Sequence, residues 1–571
     1  MSENQVDVFI CGGGPVGLLL SYQLARLGLS TYTVEQFDKT QQAMYGRAST
    51  LYPRSIELLD QLDLADAMSQ VGFVDRGSVT FKNGRRVHGR GWDFISRMHD
   101  TFFGYCLNIR QKYSEDIFRN AYERCGGKLH TGAKLIDFTV DDNAADDYKV
   151  KIQFVNENGT PRELCAKYII GADGGRSSVR RIAQIPFNEE RTEHHWVRID
   201  AVIKTDMPDA RVGFAAIESP KHGNILVVAL DHGRTRIGYA LTGELYQKYG
   251  DKITEEDVKS EAKKAFEPFS LEFVEVDWWT LYSIGQRIAD TFQAKERVLL
   301  AGDSAHTHSS GAAQGMNTGV QDAVNLGWKL AGQLKGWYHP PVLSTYSSER
   351  RPTAQHLINL NKDISFLISG MIPEGYTTKG NDPNLVLDDV LEANAQPTQL
   401  GAISPGYRGP DVHVRKPGHS LPTRLYNITK NRGHFWVLFF AGSPKETSQG
   451  LEALAKYLQR ADSFANTLNK EAFKFLTVIT GIGLQPDEVL GVQKFGNAYY
   501  DVDHSAHSRY GVTPSCGAIT VLRPDVAGFN ATSTYGHSQL KTGHPVRSAI
   551  HKQLNGRLVL RWVTTWESLL L

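Results

Sequence analysis

The sequence predicts an α/β fold in which short buried strands alternate with helices, and three observations support this prediction. Apolar runs at residues 6–10, 168–170 and 298–300 each end directly in a turn that contains glycine. Such runs are typical of strands that are covered on both faces of a parallel sheet. Strands and helices also alternate between residues 435 and 525, which predicts a smaller α/β domain. Because about 100–200 residues per domain is usual, the 571 residues predict about three or four domains.

The composition and the charge exclude several classes of partner. Hydrophobic residues make up 41% of the chain and charged residues 22%, which is typical of a globular protein. The 63 Lys and Arg residues against 62 Asp and Glu residues leave a net charge of +1, so no overall field would attract nucleic acid or an anionic membrane. We therefore expect a small uncharged or weakly charged partner and no nucleic acid.

The cysteines and the N-terminal residues predict the cellular setting. The five cysteines are widely spaced and form no Cys-x-x-Cys pair, so they indicate neither a disulfide framework nor a zinc site. Residues 1–5 lack the basic start of a secretion signal, and no segment approaches about 18 uninterrupted apolar residues. The sequence thus predicts a soluble, cytoplasmic protein with no metal site and no membrane span.

The first glycine turn belongs to a complete strand, turn, helix and strand unit. The predicted strand 6–10 leads into the turn 12–17, which reads Gly-Gly-Gly-Pro-Val-Gly and contains the pattern Gly-x-Gly-x-x-Gly. A helical pattern and a second strand at 31–34 follow, and Glu35 ends that strand 23 positions after Gly12. An acid about 20 positions after the first glycine is typical of a Rossmann-type dinucleotide-binding unit.

Each of these residues has a physical reason to bind a dinucleotide. Gly12 permits a tight turn, Gly14 removes the Cβ that would obstruct a pyrophosphate, and Gly17 lets the helix approach the strand. The start of the helix offers N–H groups and the positive end of its dipole to phosphates. Glu35 can accept hydrogen bonds from ribose hydroxyls and argues against a 2′-phosphate, so FAD or NAD is favoured over NADP here. The alternative is a glycine turn that only packs.

Two further strand ends carry a glycine and an acid. Asp173 lies in the glycine turn after the strand 168–170, and Asp303 follows Gly302 after the strand 298–300. A run from Gln314 to Gly319 then leads into a predicted helix at 320–334. An acid at a strand end is commonly a turn residue or a helix cap, and each of these two acids taken singly favours that structural interpretation. Three such sites in one chain favour a shared nucleotide site.

Together these sites resemble the single-component FAD-dependent aromatic hydroxylases, which have the fold of para-hydroxybenzoate hydroxylase. The family's glycine loop, Asp-Gly motif and Gly-Asp motif are similar to residues 12–17, 173–174 and 302–303. Gly46-Arg47-Ala48, Gln111 and the segment 284–287 also match, and residues 196–290 resemble the phenol 2-monooxygenase branch in particular. The resemblance covers residues 5–365 well and residues 400–528 more loosely.

The resemblance implies a fold and a division into domains. A Rossmann-type FAD-binding domain would be interleaved with a β-sheet substrate domain, and a C-terminal thioredoxin-like α/β domain would follow. The expected ranges are 1–185 for the FAD-binding domain with a substrate-domain insertion near 80–105, 186–294 for the substrate-binding domain, 295–369 for the continued FAD-binding domain and helices, 370–406 for a linker, and 407–571 for the C-terminal domain. Because a redox role needs two nearby thiols and Cys516 stands alone, we expect that last domain to serve packing or contacts in a homodimer. From about residue 530 no family pattern matches.

The resemblance also implies the cofactor-binding residues. FAD would bind to the protein, and NADPH or NADH would bind transiently as a co-substrate. The implied residues are Gly12, Gly14, Pro15, Val16, Gly17 and Glu35 at the ADP half, Arg47 and Gln111 at the pyrophosphate side, Asp303 at the ribityl chain, Asp173 for FAD and the nicotinamide nucleotide, and the backbone N–H groups of Gly315, Met316 and Asn317 at the flavin pyrimidine.

The family's chemistry implies an oxidoreductase that inserts one oxygen atom of O2 into a small aromatic substrate. NAD(P)H would reduce FAD, O2 would add to form a C4a-hydroperoxyflavin, and its distal oxygen would be transferred to a phenol ring in a closed apolar pocket. Tyr282 occupies the position of the family's tyrosine that meets the substrate hydroxyl. The alternative is a tyrosine that packs beside Trp278 and Trp279 in a sheet.

The chain departs from the family at two places near the expected substrate. Ser49 stands where relatives carry an acid, so either His194, His195 or His99 assists deprotonation or the substrate is acidic enough by itself. The loop at 306–313 lacks the proline and the paired glycines of relatives, which favours a substrate other than simple phenol. His306 and His308 in that loop have no third ligand in view, so we do not interpret them as a metal pair.

Two other functions remain open at this point. Relatives with this scaffold also perform decarboxylative hydroxylation or Baeyer–Villiger-type oxygen insertion, and product analysis with isotopic oxygen would separate these reactions from hydroxylation. A non-enzymatic alternative is an FAD-holding scaffold whose C-terminal domain binds a partner. It would be indicated if no phenol accelerated NAD(P)H oxidation.

Overall fold

The computed structural model describes residues 4–39, 44–46, 48–88, 92, 95, 101–219, 221–241, 243–308, 313–369, 408–513 and 515–525. Arg47, His99, the side chain of His194, the predicted linker 370–406 and the chain after residue 525 lie outside these residues. The chain forms two compact units, which are Met1–Val324 with Arg350–Ala395, and Asn325–Glu349 with Gln396–Leu571.

The first sheet of the first unit contains the parallel strands that the sequence predicts. Gln5–Cys11 pairs in parallel with Thr31–Glu35 on one side and with Pro161–Gly171 on the other. Val298–Leu300 pairs in parallel with Pro161–Gly171. Because these strands run in the same direction, their carboxyl ends meet at one edge of the sheet, which is where ligands bind in open α/β sheets. The three glycine turns are therefore neighbours, although they are far apart in the sequence.

Further strands and helices complete this part of the first unit. Within the described residues, the other strands of the first sheet are Gln293–Ala294, Leu129–Thr131, Lys134–Val140 and Val150–Val155. A small sheet pairs Cys106–Asn108 with Thr50–Leu51 and with Phe73–Asp75. The helices before residue 190 in the described chain are Pro15–Arg26, Pro53–Gln61, Ala65–Val71, Gln111–Arg124 and Ser178–Ile182.

The second sheet of the first unit is built from longer strands. In the described chain its strands, in spatial order, are His306–Thr307, Glu272–Ala289, Phe187–Lys204, Thr235–Leu241, Gly223–Ala229, Phe214–Ser219, Ser78–Lys82 and Arg85–Val87. The helices Gly243–Tyr249 and Glu255–Phe266 follow Thr235–Leu241 in the chain. Thus Ser78–Lys82 pairs with Phe214–Ser219, which comes more than 120 residues later in the sequence.

The two faces of the second sheet differ in chemistry because side chains alternate along each strand. On Phe187–Lys204, the odd-numbered Val197, Ile199 and Ala201 pack in a buried apolar cluster that also includes residues of the helix Glu255–Phe266. The even-numbered Trp196, Arg198 and Asp200 therefore point to the opposite face, and it is this face that borders the site described below.

The second unit has its own mixed sheet. Phe435–Phe440 pairs in parallel with Phe473–Thr480, which pairs in parallel with Asn497–Asp501, while Ala518–Leu522 is antiparallel to Phe435–Phe440. A short antiparallel pair joins His413–Val414 to Thr423–Arg424. The unit's helices in the described chain after residue 408 are Leu425–Ile428, Pro444–Leu458, Phe464–Thr467, Pro486–Leu490 and Ser505–Arg509. The predicted alternation of strands and helices is confirmed in this region.

Two long helices follow the Gly302-Asp303 turn, and the first begins earlier than the sequence predicts. It covers Gln314–Leu334 rather than 320–334, because the Thr318 hydroxyl and the Asn317 amide donate to carbonyls one turn back and support the first turn. The second helix covers Pro341–Ser369. In the part of the chain that the structure describes, no helix has the length and apolar character needed to cross a membrane.

Candidate functional site

A cavity of about 1230 Å³ lies in the first unit, between the glycine turns of the first sheet and the Trp196 face of the second sheet. A site for one small ligand usually measures about 300–1,000 Å³, so this cavity can hold more than one molecule. The predicted site residues that line it are Gly12, Gly14, Pro15, Val16, Glu35, Gln111, Asp173, Tyr282, Asp303, Gly315 and Met316. Gly17 and Asn317 do not belong to its lining, and Arg47 is outside the described residues.

The first glycine turn is shaped by close contacts at two of its glycines and by free space at the third. Gly12 has a φ of +115°, which side-chain-bearing residues rarely adopt, and a Cβ there would overlap the carbonyl of Ala172. A Cβ at Gly17 would clash with the carbonyl oxygen of Gly12. A Cβ at Gly14, by contrast, would meet no atom within 4 Å and would project into the open space at the start of the helix Pro15–Arg26.

Glu35 is held by backbone groups and faces the cavity. Its Oε2 accepts a hydrogen bond from the N–H of Gly13 at 2.9 Å, and its Oε1 accepts one from the N–H of Phe37 at 3.1 Å. The Nζ of Lys39 lies 3.6 Å from Oε2 of Glu35 and 3.2 Å from Oε2 of Glu115. The carboxylate is therefore fixed in orientation at the end of its strand, beside a lysine that also lines the cavity.

Asp173 stabilises its own turn and also lines the cavity. Its Oδ2 accepts hydrogen bonds from the N–H groups of Ser178 at 2.6 Å and Val179 at 3.2 Å at the start of the helix Ser178–Ile182. Its Oδ1 is buried and has no hydrogen-bond partner among the described residues. Burial raises the pKa of Asp173 above its ordinary value, and the hydrogen bonds from neighbouring residues oppose that shift. One oxygen thus holds the turn while the other remains available to a ligand.

The third glycine turn packs closely against the first. A Cβ at Gly302 would lie 2.8 Å from the Cγ2 atom of Val16, and a Cβ at Gly319 would lie 2.5 Å from the same atom. Val16 therefore fits between two positions that only glycine leaves open. This packing places the exposed carboxylate of Asp303 in the cavity next to the helix that begins at Gln314.

A buried network of polar and charged side chains lies under the same turn and holds His306 in place. Its Nε2 lies 2.7 Å from Oδ2 of Asp322, which also accepts from the N–H of Gly302 at 3.1 Å. The Nε of Arg350 donates to Oδ1 of Asp322 at 2.6 Å. Burial would raise the pKa of Asp322, but Arg350 and His306 hold it below its ordinary value. Among the described residues, no group of three His, Cys, Asp or Glu side chains could hold a metal ion.

Gln111 and Asn317 connect the loops around the cavity. The Oε1 of Gln111 accepts from the N–H of Ala48 at 3.4 Å, and its Nε2 donates to Glu115 at 2.9 Å. The side chain of Asn317 accepts from the N–H of Tyr52 and donates to the carbonyl of Thr50, both at 2.9 Å. The side chain of Asn317 thus fixes the start of its helix to the small sheet.

The far end of the cavity is formed by the second sheet. Tyr282 and Trp278 lie on alternate positions of the same strand and both line the cavity. Trp279 points to the other face and packs against the apolar cluster there, so only one of the two tryptophans is a neighbour of Tyr282 on its face. Tyr282 also packs against Trp196 on the paired strand and against Ala240 on the strand beyond it. The structure thus brings Tyr282 to the cavity and to an aromatic surface at once.

The positions that depart from the family pattern are placed as follows. Ser49, where the resemblance leads one to expect an acid, lines the cavity. His308 lines the cavity as well. His195 stacks on Tyr246, with ring centroids 3.7 Å apart, and is not part of the lining, so it does not reach the cavity as a base.

Two buried arginines on the second sheet that line the cavity were missed by sequence reasoning. Arg198 and Arg236 line it, although each is almost completely buried. The alternation of Val197, Ile199 and Ala201 with Trp196, Arg198 and Asp200 was a usable signal, because charged residues at every second position of an apolar strand face a polar space.

The cavity residues fit a flavin dinucleotide. The open Gly14 position at a helix start suits a pyrophosphate, and the unpaired Oδ1 of Asp173 and the exposed carboxylate of Asp303 suit hydroxyl groups. Since the same cavity continues to an aromatic sheet face, the fold and the site define a cofactor-dependent enzyme that acts on a small molecule.

Comparison with known proteins gives the family. The model of the FAD binding domain family matches residues 5–361. The 3-hydroxybenzoate 4-monooxygenase of Comamonas testosteroni is 33% identical over 80% of this chain and 78% of its own length. The phenol 2-monooxygenase fsqG of Aspergillus fumigatus is 28% identical over 93% of this chain and 95% of its own length. The structure of aklavinone-11 hydroxylase with FAD and aklavinone has the same fold, with a TM-score of 0.65 and 20% identity over 92% of this chain and 95% of that chain.

The chain therefore belongs to the FAD binding domain family, and it is an FAD-dependent monooxygenase of the aromatic hydroxylase type. The predicted family, fold class and FAD cofactor are confirmed. The roles of the individual site residues, the domain boundaries and the thioredoxin-like character of the second unit stay predictions.

Proposed function

We propose that the protein hydroxylates a phenolic or otherwise substituted aromatic ring, with NAD(P)H as the reductant, O2 as the oxygen source and a C4a-hydroperoxyflavin as the oxygen donor. The observation that supports this most directly is the continuous cavity that joins the glycine turns to the aromatic face of the second sheet. Bound FAD would supply the activation of O2, while the residues of the chain bind it, orient the substrate and exclude water.

The cofactor end of the cavity is suited to hold FAD through Gly12, Gly14, Glu35, Asp173 and Asp303. The N–H groups at the start of the helix Pro15–Arg26 can bind phosphate oxygens, because the first N–H groups of a helix lack partners within it. Glu35 and Asp303 present carboxylates, which accept hydrogen bonds from hydroxyl groups. We also propose that Gln111 and Arg47 bind FAD at the pyrophosphate side. The N–H groups of Gly315, Met316 and Asn317 would bind it at the flavin ring.

The substrate end is suited to an aromatic ring. Trp278 can pack against a ring, and Leu226 and Val228 supply apolar surface that excludes water from the reacting atoms. We propose that Tyr282 forms a hydrogen bond with the phenolic hydroxyl of the substrate. Ser49 leaves this end without the family's carboxylate, so we infer that Tyr282 takes the larger share in orienting that hydroxyl.

The experiment measures NADPH and NADH oxidation and hydroxylated product for a panel of phenols under ¹⁸O2. We expect one labelled oxygen on the ring, without release of CO2 and without ring expansion. Release of CO2 would establish decarboxylative hydroxylation, and oxygen inserted into a C–C bond would establish the Baeyer–Villiger-type reaction. If no phenol accelerated NAD(P)H oxidation by the FAD-loaded protein, the proposal would be wrong.

A matched pair of variants tests Tyr282. Tyr282→Phe should lower the product formed per NAD(P)H oxidised, with a loss of hydroxylation of about 100-fold, because one positioned proton partner is removed. Tyr246→Phe is the control, because it removes a hydroxyl that donates a hydrogen bond to Asp251 away from the cavity. This variant should leave the ratio of product to NAD(P)H oxidised unchanged. An unchanged ratio in Tyr282→Phe would exclude the proposed role.

For the second unit we propose a thioredoxin-like domain with a packing or dimer role. Its four-stranded mixed sheet is consistent with such a domain, and Cys516 is its only cysteine. Sedimentation of the full chain should show a dimer, and a monomer at micromolar concentration would exclude the dimer role.

A further inference from the structure

Arg110 connects two walls of the cavity although it is not part of the cavity lining. It lies between the strand Cys106–Asn108 and the helix Gln111–Arg124, and it is only 2% exposed. A guanidinium stays protonated in proteins, so this buried charge needs partners of opposite sign. The positions of those partners show which parts of the first unit Arg110 holds together.

Two carboxylates bind Arg110. Its backbone N–H donates to Oδ2 of Asp231 at 2.7 Å, and its Nε donates to Oδ1 of the same carboxylate at 2.8 Å. Its Nη1 donates to Oδ2 of Asp277 at 2.5 Å. Burial would raise the pKa of Asp277, but Arg234 and Arg110 hold it below its ordinary value. One arginine thus bridges two acids that lie 46 positions apart in the chain.

The first wall of the cavity is tied to the backbone on both sides of Arg110. The N–H of Ile109 donates to the carbonyl of Ser49 at 2.8 Å, and the N–H of Gln111 donates to the carbonyl of Ala48 at 3.0 Å. Ala48, Ser49 and Gln111 line the cavity, and we call these three residues the first wall. A displacement of Arg110 would therefore displace the first wall.

The second wall is reached through the two carboxylates. Asp277 directly precedes Trp278, and Asp231 lies three positions after Val228. Trp278 and Val228 line the cavity at the end assigned to the substrate, and we call these two residues the second wall. Arg110 therefore connects the first wall to the second through hydrogen bonds of a single residue.

Stability alone does not account for this arrangement. A buried ion pair often stabilises a fold no more than apolar side chains of similar volume do, because both charges lose their water. A guanidinium that holds two carboxylates instead fixes the distances and angles among three groups. Geometry of this kind matters for a transfer between two bound molecules, since a misplacement of about 1 Å can lower a rate by about 100-fold.

We propose that Arg110 is a positioning residue that sets the spacing between the two walls, and with it the distance between the substrate ring and bound FAD. This proposal rests on the proposed function and adds to it a residue from outside the cavity lining. Without the link, FAD should still bind and still be reduced. The reaction should then divert, so that NAD(P)H, a proton and O2 give NAD(P)⁺ and H2O2 in place of hydroxylated product.

The test compares three variants of the FAD-loaded full chain with the wild type. Arg110→Lys keeps the charge, but one ammonium group lacks the planar fork that holds both carboxylates. Asp277→Ala removes the link to the strand of Trp278 and leaves the pair between Arg110 and Asp231. Arg234→Gln is the matched control, because Arg234 donates to the same Asp277 at 3.0 Å but lies beside the strand Thr235–Leu241 of the second sheet.

Two quantities are measured with the phenol that the wild type hydroxylates best. One is the product and the H2O2 formed per NAD(P)H oxidised, and the other is the change in flavin absorbance when that phenol saturates the oxidised protein. The first quantity is a ratio, so a smaller folded fraction does not change it, and a merely structural role would leave it at the wild-type value.

Arg110→Lys and Asp277→Ala should lower the ratio of product to NAD(P)H oxidised by about 10-fold or more, because the ring no longer lies at the distance that transfer requires. H2O2 should account for the difference. The absorbance change at saturation should differ from that of the wild type in both variants. Arg234→Gln should keep the wild-type ratio and the wild-type absorbance change.

Several results would overturn the proposal. A wild-type ratio in Arg110→Lys would show that the network only stabilises the fold, and if that variant fails to fold, a wild-type ratio in Asp277→Ala is equally decisive. An equal loss in Arg234→Gln would show that the link to Arg110 is not what matters. A lower ratio with an unchanged absorbance would show that the ring has not moved. In each case the wild type still hydroxylates, whereas a wild type that hydroxylates no phenol would refute the proposed function itself.

Discussion

Replacing Gly14 with valine should weaken FAD binding without damaging the fold. The position has an extended backbone conformation, with φ −80° and ψ −178°, which valine adopts readily. Apart from the two neighbouring residues, a Cβ there would touch no protein atom within 4 Å, so a side chain at this position begins in open space. Gly14→Val should therefore fold normally and fail to retain FAD.

The size of this effect follows from the hydrogen bonds at risk. One or two N–H groups at the start of the helix Pro15–Arg26 would lose phosphate oxygens, and each hydrogen bond to a charged group is worth about 1.5–3 kcal/mol. We expect a loss of about 3 kcal/mol or more, which is about a 100-fold or greater rise in the dissociation constant for FAD.

The assay titrates the apoprotein with FAD, follows flavin fluorescence, and compares thermal unfolding of the apoproteins. Gly243→Val is the matched control, because a Cβ at Gly243 also meets no atom within 4 Å but lies away from the cavity. Gly12→Ala provides the opposite pattern, since its strained φ of +115° predicts a damaged fold. Wild-type FAD affinity in Gly14→Val would refute the placement of the pyrophosphate.

Three further predictions concern stability. Gly319→Ala should lower the free energy of unfolding in urea by about 1–3 kcal/mol, because its Cβ would lie 2.5 Å from the Cγ2 atom of Val16. The double variant with Val16→Ala should regain part of that free energy, and no gain would show that the contact is unimportant. Burial raises the pKa of Asp75 from 3.8 to about 7, so the folded state holds a proton that the unfolded state has lost between these values. Stability should therefore fall as pH rises from 4 to 7, by an amount on the order of 4 kcal/mol, and Asp75→Asn should flatten that slope; an equal slope would refute the assignment. Glu349→Ala leaves the fully buried Lys329 without its partner at 2.5 Å and should cost about 3–5 kcal/mol in thermal or urea unfolding, whereas a loss below about 1 kcal/mol would show that the charge finds another partner.

The elements at the first glycine turn were predictable because their signals are local. The strand Gln5–Cys11, the turn after it and the acid at the end of Thr31–Glu35 are all read within 31 residues. The later helix beginning at Gln314 was placed six residues too late, because Gly315 and Gly319 suggest a loop. Side-chain hydrogen bonds from Asn317 and Thr318 support its first turn, and a glycine interval alone does not reveal them.

By itself the sequence determined the cofactor class, because the glycine turn, its helix and Glu35 act through backbone geometry over a short stretch of chain. The tertiary structure decided which side chains share the cavity. Arg198 and Tyr282 are 84 positions apart, and only the register of antiparallel strands places them in successive rows of one face. The net charge of +1 predicted a weakly charged partner, but it does not show which charges are buried together, such as Asp200 and Arg236 in their ion pair beside the cavity. Charge balance within a buried site depends on such long-range pairing, which composition does not record.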